Sequence, residues 1–183
     1  DLLQVKGAVL GARRAMNALG SDVPIIVSVT IETAGTMLLG TEIGAALAAI
    51  EPLGVDIIGL NCATGPEEMG EHLRHLSRYA SVGLSCLPNA GLPELTSDGA
   101  RYPLTPEGLA TALDGYISEF GLSLVGGCCG TTPAHISALA AVAAVALAAF
   151  LRYESRRHDP FLDLRFFRSI PFTSATVSAV SAF

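Results

Sequence analysis

The chain has 183 residues, of which 50% are apolar and 15% charged, with a net charge of -6 and no tryptophan. That length holds one domain with a core of its own, and so apolar a composition excludes a disordered chain. The acidic balance argues against nucleic acid as a partner, because phosphate contacts favour a basic surface.

The charge is unevenly placed. Residues 1–150 carry 6 basic and 14 acidic side chains, net -8, whereas residues 151–183 carry 5 arginines and 3 acids, net +2. Four cysteines without a secretory signal do not suggest a disulfide framework, so a reducing, cytoplasmic setting is expected. The start, Asp1-Leu2-Leu3-Gln4, lacks an initiator methionine and a basic segment and reads as a chain that begins inside a domain.

In chain order, Val5, Val9, Ala12, Met16 and Leu19 are spaced for one helical face that Gly20 closes. Pro24 to Thr30 is a β-branched run suited to a buried parallel strand. Thr41 is placed to cap a helix with the face Ile43, Leu47, Ile50 and Leu53, ended by Gly54. Val55 to Leu60 is the next strand and delivers Asn61-Cys62. Pro66 then fits a first helical turn with Glu67 and Glu68, and Met69, Leu73, Leu76 and Ala80 form the stripe. Ser81 to Leu87 is a third strand, followed by a long loop from Asn89 to Pro103. Thr105-Pro106-Glu107 opens a helix whose apolar residues are Leu109, Leu113, Tyr116, Ile117 and Phe120, closed by Gly121. Leu122 to Val125 is a fourth strand, running into Gly126-Gly127-Cys128-Cys129-Gly130-Thr131-Thr132-Pro133 and a further helix. Ala138 to Leu151 is a run of 14 almost purely apolar residues, short of the ~20 needed to span a bilayer. A basic patch, Arg152 to His158, follows it.

Helix and strand alternate at roughly 30 to 35 residues per unit, the size of a βα repeat. That fits half of a closed (β/α)₈ barrel or a small doubly wound sheet. Both cysteine sites fall just after strands, at the end where barrel active sites are built, which favours the barrel. The expected fold is therefore α/β: residues 1–140 form the C-terminal half of a (β/α)₈ TIM barrel, about four βα units, and 141–183 a helical apolar and basic tail.

Three thiols at the ends of two strands can hold one soft divalent metal such as zinc and leave its fourth position open for a substrate thiol. Adjacent cysteines can both ligate if the backbone turns sharply, which Gly126, Gly127 and Gly130 permit. Two other readings stay open: cysteine as a small buried hydrophobe, and a redox pair, although adjacent cysteines make poor disulfides. Cys86, inside Leu84-Ser85-Cys86-Leu87, is expected in the core. His72, His75 and His135 read as surface residues and His158 as solvated. Asn61, Ser28, Thr30 and Glu32, at strand ends, are the candidate substrate-binding residues, with caps or turn hydrogen bonds as the alternative. Thr131 and Thr132 suit a helix start, and Asn89 and Gly91 suit a turn. No residue is assigned a separate catalytic role.

Three segments together are distinctive: Asp56-Ile57-Ile58-Gly59-Leu60-Asn61-Cys62-Ala63-Thr64-Gly65-Pro66, Pro88-Asn89-Ala90-Gly91-Leu92-Pro93 and Gly126 to Pro133. They resemble the homocysteine S-methyltransferase family, and within it the homocysteine-binding module of the cobalamin-dependent methionine synthases. Val27-Ser28-Val29-Thr30 and Gly35 to Gly40 match as well. The resemblance implies a (β/α)₈ barrel, zinc held by Cys62, Cys128 and Cys129, and methyl transfer to the thiol of homocysteine to give methionine. Relatives that use betaine or S-methylmethionine share the cysteine pattern. Against the family, the first half of the barrel is absent, as are the folate-binding, cobalamin-binding and activation modules. Cobalamin and methyltetrahydrofolate would therefore bind to modules outside this chain, the other half-barrel and the cobalamin module would be its partners, and the fragment alone is expected to be inactive or nearly so.

The tail departs from the family. Arg156 to Arg168 looks like a loop of major facilitator superfamily drug-efflux transporters, a resemblance covering about residues 145–183. A membrane transporter fragment with its function in the tail is the competing reading, and any membrane association would come through that tail. A thiol redox module is the third.

Overall fold

A computed structural model describes residues 1–97 and 99–156. The expectations for His158 and for the transporter-like segment from Arg157 onward lie outside the described residues. The chain divides into two units, Asp1–Leu139 and Ala140–Phe183.

The first unit alternates helix and strand. Helix α1 (Leu2–Leu19) is capped by the Asp1 carboxylate, which accepts from the Leu3 N–H, and ends at Gly20 with a left-handed φ of 63°. Strand β1 (Ile26–Val29) leads to α2 (Ile43–Ile50) and a single 3₁₀ turn, Glu51–Leu53. Strand β2 (Ile57–Asn61) is followed by α3 (Pro66–Tyr79), with Pro66 in its first turn, and then by β3 (Gly83–Leu87). After the β4 (Glu94–Thr96) and β5 (Gly99–Arg101) hairpin, α4 (Pro106–Phe120) opens on Thr105, whose hydroxyl accepts from the Gly108 N–H. The two-residue strand β6 (Leu124–Val125) precedes α5 (Pro133–Glu154).

Strands β1, β2, β3 and β6 form one parallel sheet in sequence order. Each crossover between neighbouring strands contains one helix, and α1, α2, α3 and α4 pack in succession. Right-handed crossovers in unbroken order place their helices on one face, whereas a doubly wound sheet needs an order reversal. The arrangement is thus a sector of a TIM-barrel-like α/β fold. Alternate strand residues, Val27, Val29, Ile58, Leu60, Leu84 and Cys86, join Leu47, Ile50, Leu73, Leu76, Leu109 and Leu113 of the helices in one core. Each fully buried leucine or isoleucine contributes about 1.5–3 kcal/mol before chain entropy is counted. Ser28, Gly59, Ser85 and Leu124 share a register row of the opposite parity. A Cβ on Gly59 would run into the Ser85 side chain and carbonyl, so this row requires glycine.

Four expectations need correction. Thr41 does not cap α2: Glu42 holds the cap position without a side-chain bond, and the Thr41 carbonyl accepts from the Met37 N–H, closing a turn. The long loop after β3 contains the β4–β5 hairpin, whose residues are all exposed and so lack an apolar alternation. His135 is buried rather than on the surface. Helix α5 has 22 residues, starting before the 14-residue apolar run and ending after it. Among the described residues it is the one helix long and apolar enough, by length and composition, to cross a membrane.

Candidate metal centre

Parallel pairing puts the C-terminal ends of β2, β3 and β6 side by side, and hydrogen bonding continues past the strands. The Cys62 N–H donates to the Leu87 carbonyl at 3.1 Å, one residue beyond β2. The chain then breaks direction: Cys62 and Ala63 both have φ of 61°, and the Thr64 N–H closes a tight turn onto the Cys62 carbonyl. Two successive non-glycine residues in the left-handed region cost about 1–3 kcal/mol each, a strain found mainly where function holds it.

The other two cysteines are threaded against the loop after β3. Cys128 N–H donates to the Pro88 carbonyl at 2.8 Å, and Ala90 N–H to the Cys129 carbonyl at 2.9 Å. Between them the Cys129 N–H donates to Oδ1 of Asn89 at 3.1 Å, and Asn89 is buried. Gly130, with φ of 77°, and the Thr131 hydroxyl, donating to the Cys128 carbonyl at 2.6 Å, complete the turn.

The result is a convergence of three sulfurs. Cys62 Sγ lies 3.6 Å from Cys129 Sγ, Cys128 Sγ lies 3.9 Å from Cys129 Sγ, and all three fall within 4.8 Å of one another. Thiolates bound tetrahedrally at ~2.3 Å from zinc stand about 3.8 Å apart. Two of the three spacings already match that edge, so the donor set fits one soft divalent ion with a fourth position left over.

The thiols differ in acidity. Burial opposes ionisation of Cys62, but hydrogen bonds from the Ala63 backbone and the Cys129, Cys128 and Asn89 side chains outweigh it and lower its pKa. Burial first, then the neighbouring Cys62 and Cys129 side chains, push Cys128 up to about 11. Cys86, in the core, is pushed up to about 12 by burial alone. Cys62 therefore ionises ahead of Cys128, and Cys86 takes no part.

Asn61 and Thr30 come together, with the Thr30 hydroxyl 3.5 Å from Asn61 Oδ1, next in sequence to Cys62. Ser28 is exposed on the β1 row that faces away from the helices. Glu32 lines a separate small cavity of about 50 Å³ with Thr64, Glu68 and His72. His72 is half-buried and burial holds its pKa down, against Glu71 and with help from His75. His75 stacks on Tyr79 at 4.6 Å. Neither belongs to the thiol cluster.

Two residues of the site were not singled out in the sequence for it. Asn89 reads there as a turn residue, and its long-range bond to Cys129 has no local signal. Tyr102 sits in the loop after β5, half-buried, with its ring root against Gly130, where a Cβ would collide with it. Burial first, then the charge and hydrogen bond of Cys129, raise the Tyr102 pKa, so the phenol keeps its proton at neutral pH.

The profile described as homocysteine S-methyltransferase matches residues 1–143. The chain belongs to the homocysteine S-methyltransferase family. The methionine synthases of Mycobacterium tuberculosis and Mycobacterium leprae are each 69% identical to it over 144 residues, 79% of this chain and 12% of theirs. The chain thus spans 12% of the length of these curated relatives. Among solved structures, the homocysteine methyltransferase MmuM from Escherichia coli is similar. Its metallated form is 26% identical with a TM-score of 0.54, covering 73% of this chain and 40% of that one. Its apo form is 25% identical with a TM-score of 0.57, covering 77% and 46%. Family membership and a three-cysteine cluster able to chelate a metal coincide in residues 1–143.

Proposed function

We infer that this chain holds zinc through Cys62, Cys128 and Cys129 and serves methyl transfer to the thiol of homocysteine, giving methionine. One observation carries this: three sulfurs from two distant loops converge at the spacing of a tetrahedron edge, in a member of this family. Zinc bound there supplies a Lewis acid that lowers the pKa of a further sulfur ligand. In the transfer the homocysteine S–H loses its proton, the S–CH₃ bond forms, and the donor–CH₃ bond breaks with its electron pair staying on the donor.

The chain's own residues prepare that step. Cys62 ionises more readily than Cys128, and Cys128 gives up a proton when the ion enters. Asn89 fixes the Cys129 backbone, so the vicinal pair is rigid before metal arrives. Asn61 and Thr30 offer an amide and a hydroxyl beside Cys62 for the amino-acid end of homocysteine, with Ser28 from the strand that ends just before Thr30, whereas Glu32 lines the separate cavity. Residues 1–140 act as a partial barrel. The methyl donor cofactors, cobalamin and methyltetrahydrofolate, are held by other modules, and the remaining half-barrel completes the substrate pocket. A reducing, cytoplasmic setting suits a Cys62–Cys129 pair this close, which an oxidant would otherwise couple.

Adding homocysteine to the zinc-loaded chain in weak buffer near neutral pH tests the proposal. About one proton released per chain is expected, and none from a Cys128→Ser chain. A zinc-loaded native chain that binds homocysteine without releasing protons would contradict it. Methionine formation from methylcobalamin by the chain alone is expected to be negligible, and ready turnover would overturn the assignment to a partial barrel.

A further inference from the structure

Helix α5 begins with a reciprocal pair of bonds. The His135 N–H donates to the Thr132 carbonyl at 3.0 Å, and the Thr132 N–H donates back to His135 Nδ1 at 3.1 Å. The second bond is the return half of a capping box, with histidine where glutamate or glutamine usually stands. The Thr132 hydroxyl stands 3.0 Å from the same Nδ1. Such a cap needs one acceptor and nothing more, yet His135 has a second nitrogen in use. Because Nδ1 accepts, the neutral ring carries its proton on Nε2. Nε2 donates to the Leu104 carbonyl at 3.0 Å, 31 positions away, and the residue is only 6% exposed. From Leu104 the bonds lead to the thiols: the Leu104 N–H donates to the Ala90 carbonyl, and the Ala90 N–H to the Cys129 carbonyl, both at 2.9 Å. His135 follows Cys129 closely in the chain, so bonds and backbone together close a ring around the cysteine turn.

We propose that His135 is a positioning residue of the metal centre, whose ring straps the loop at Leu104 to the start of α5 and so holds the Cys129 backbone where the ion needs it. The inference rests on the metal-binding role given to the three thiols and goes beyond it. Glutamate or glutamine would cap α5 equally well, so the cap alone does not account for a buried imidazole. Without the strap the Leu104 carbonyl loses its donor, and the loop that bonds Cys129 through Ala90 can shift. Groups that orient metal ligands from outside change metal affinity by roughly 10–100-fold. The coupling is reciprocal, so a bound ion must in turn steady the strap.

The test loads the full chain with cobalt(II), a spectroscopic stand-in for zinc, and compares it with His135→Gln and His135→Glu, two side chains of the same shape. Both can cap α5, but above neutral pH only glutamine can donate to Leu104. A carboxylate by itself attracts a cation, so weaker binding by H135E cannot come from its charge. The H135E chain is expected to bind cobalt about tenfold more weakly and to shift the thiolate-to-cobalt charge-transfer band, with H135Q close to native in both. Tyr116→Phe is the control: its hydroxyl donates to the Pro66 carbonyl at 2.7 Å, in the α3–α4 packing, and its loss should move neither. H135E with native affinity and a native band, or H135Q as impaired as H135E, overturns the role of His135 and leaves the thiol site standing. If H135E does not fold, amide exchange on the native chain decides: zinc should slow exchange of the Leu104 N–H, and an unchanged rate overturns the strap. A native chain that takes up no cobalt overturns both the strap and the thiol site.

Discussion

Cys62 Sγ and Cys129 Sγ lie 3.6 Å apart although 67 positions separate them in the chain. Neither the strands nor their register alone produces this approach. It needs the left-handed pair Cys62-Ala63 on one side and the Asn89 bridge on the other. A single ion between them turns that geometry into a chemical site, and the consequences can be measured.

The four cysteines divide by environment. In metal-free, reduced, folded protein, iodoacetamide should modify Cys62, Cys129 and, slowly because its thiol is pushed up to about 11, Cys128, and spare Cys86, which is fully buried. Zinc should protect the first three, and unfolding should expose the fourth. Peptide mapping reads this directly. Cys62→Ser and Cys128→Ser should each weaken zinc binding by more than the roughly 100-fold that loss of an outer partner costs, while Cys86→Ala leaves it unchanged. Rapid labelling of native Cys86, or zinc protection that survives C62S, would contradict the assignment.

Zinc affinity should rise with pH. Bound metal needs thiolates, and metal-free Cys128 stays protonated up to about pH 11, so each ion that binds at neutral pH displaces its proton. The pKa of Cys62 is lowered by its hydrogen bonds, so its proton leaves the balance at a lower pH than that of Cys128. A plot of log affinity against pH should therefore steepen as pH falls. Competition with a chelator of known pH dependence measures it, and a flat profile through neutral pH would count against thiolate ligation.

Glycine at 59 is demanded by packing rather than by turn geometry, because Ser85 fills the space of its Cβ. Gly59→Ala should destabilise the fold by about 3 kcal/mol or more, since backbone lies in the way and overpacking cannot relax. Gly115→Ala, in the exposed middle of α4 with nothing within 4 Å, should stabilise it by about 0.5–1 kcal/mol. Urea midpoints of the two variants should move in opposite directions. A shift of the same sign would show that the β2–β3 register is not the one described.

Much of the α/β alternation can be read from residue spacing. The α3 stripe Met69, Leu73 and Leu76 is buried at helical intervals, and the β-branched run containing Val27 and Val29 pairs as a parallel strand. Local pattern fails where partners are distant. His135 looks like a polar residue in a helix's first turn, yet Thr132 and Leu104 satisfy both ring nitrogens and let it be buried. Asn89 looks like a turn residue because its partner, Cys129, is 40 positions away. The β4–β5 hairpin stays hidden because Glu94-Leu95-Thr96 has no buried face to mark it. The thiols were legible because sulfur chemistry narrows what adjacent cysteines at a strand end can do.

The central claim is an ion held by three protein sulfurs with its last position free for the substrate. X-ray absorption of the zinc-loaded chain, before and after homocysteine, addresses it most directly. The account predicts three sulfurs at ~2.3 Å plus one lighter atom, becoming four sulfurs when homocysteine is added. A sulfur count that starts below three, or that homocysteine leaves unchanged, would contradict it.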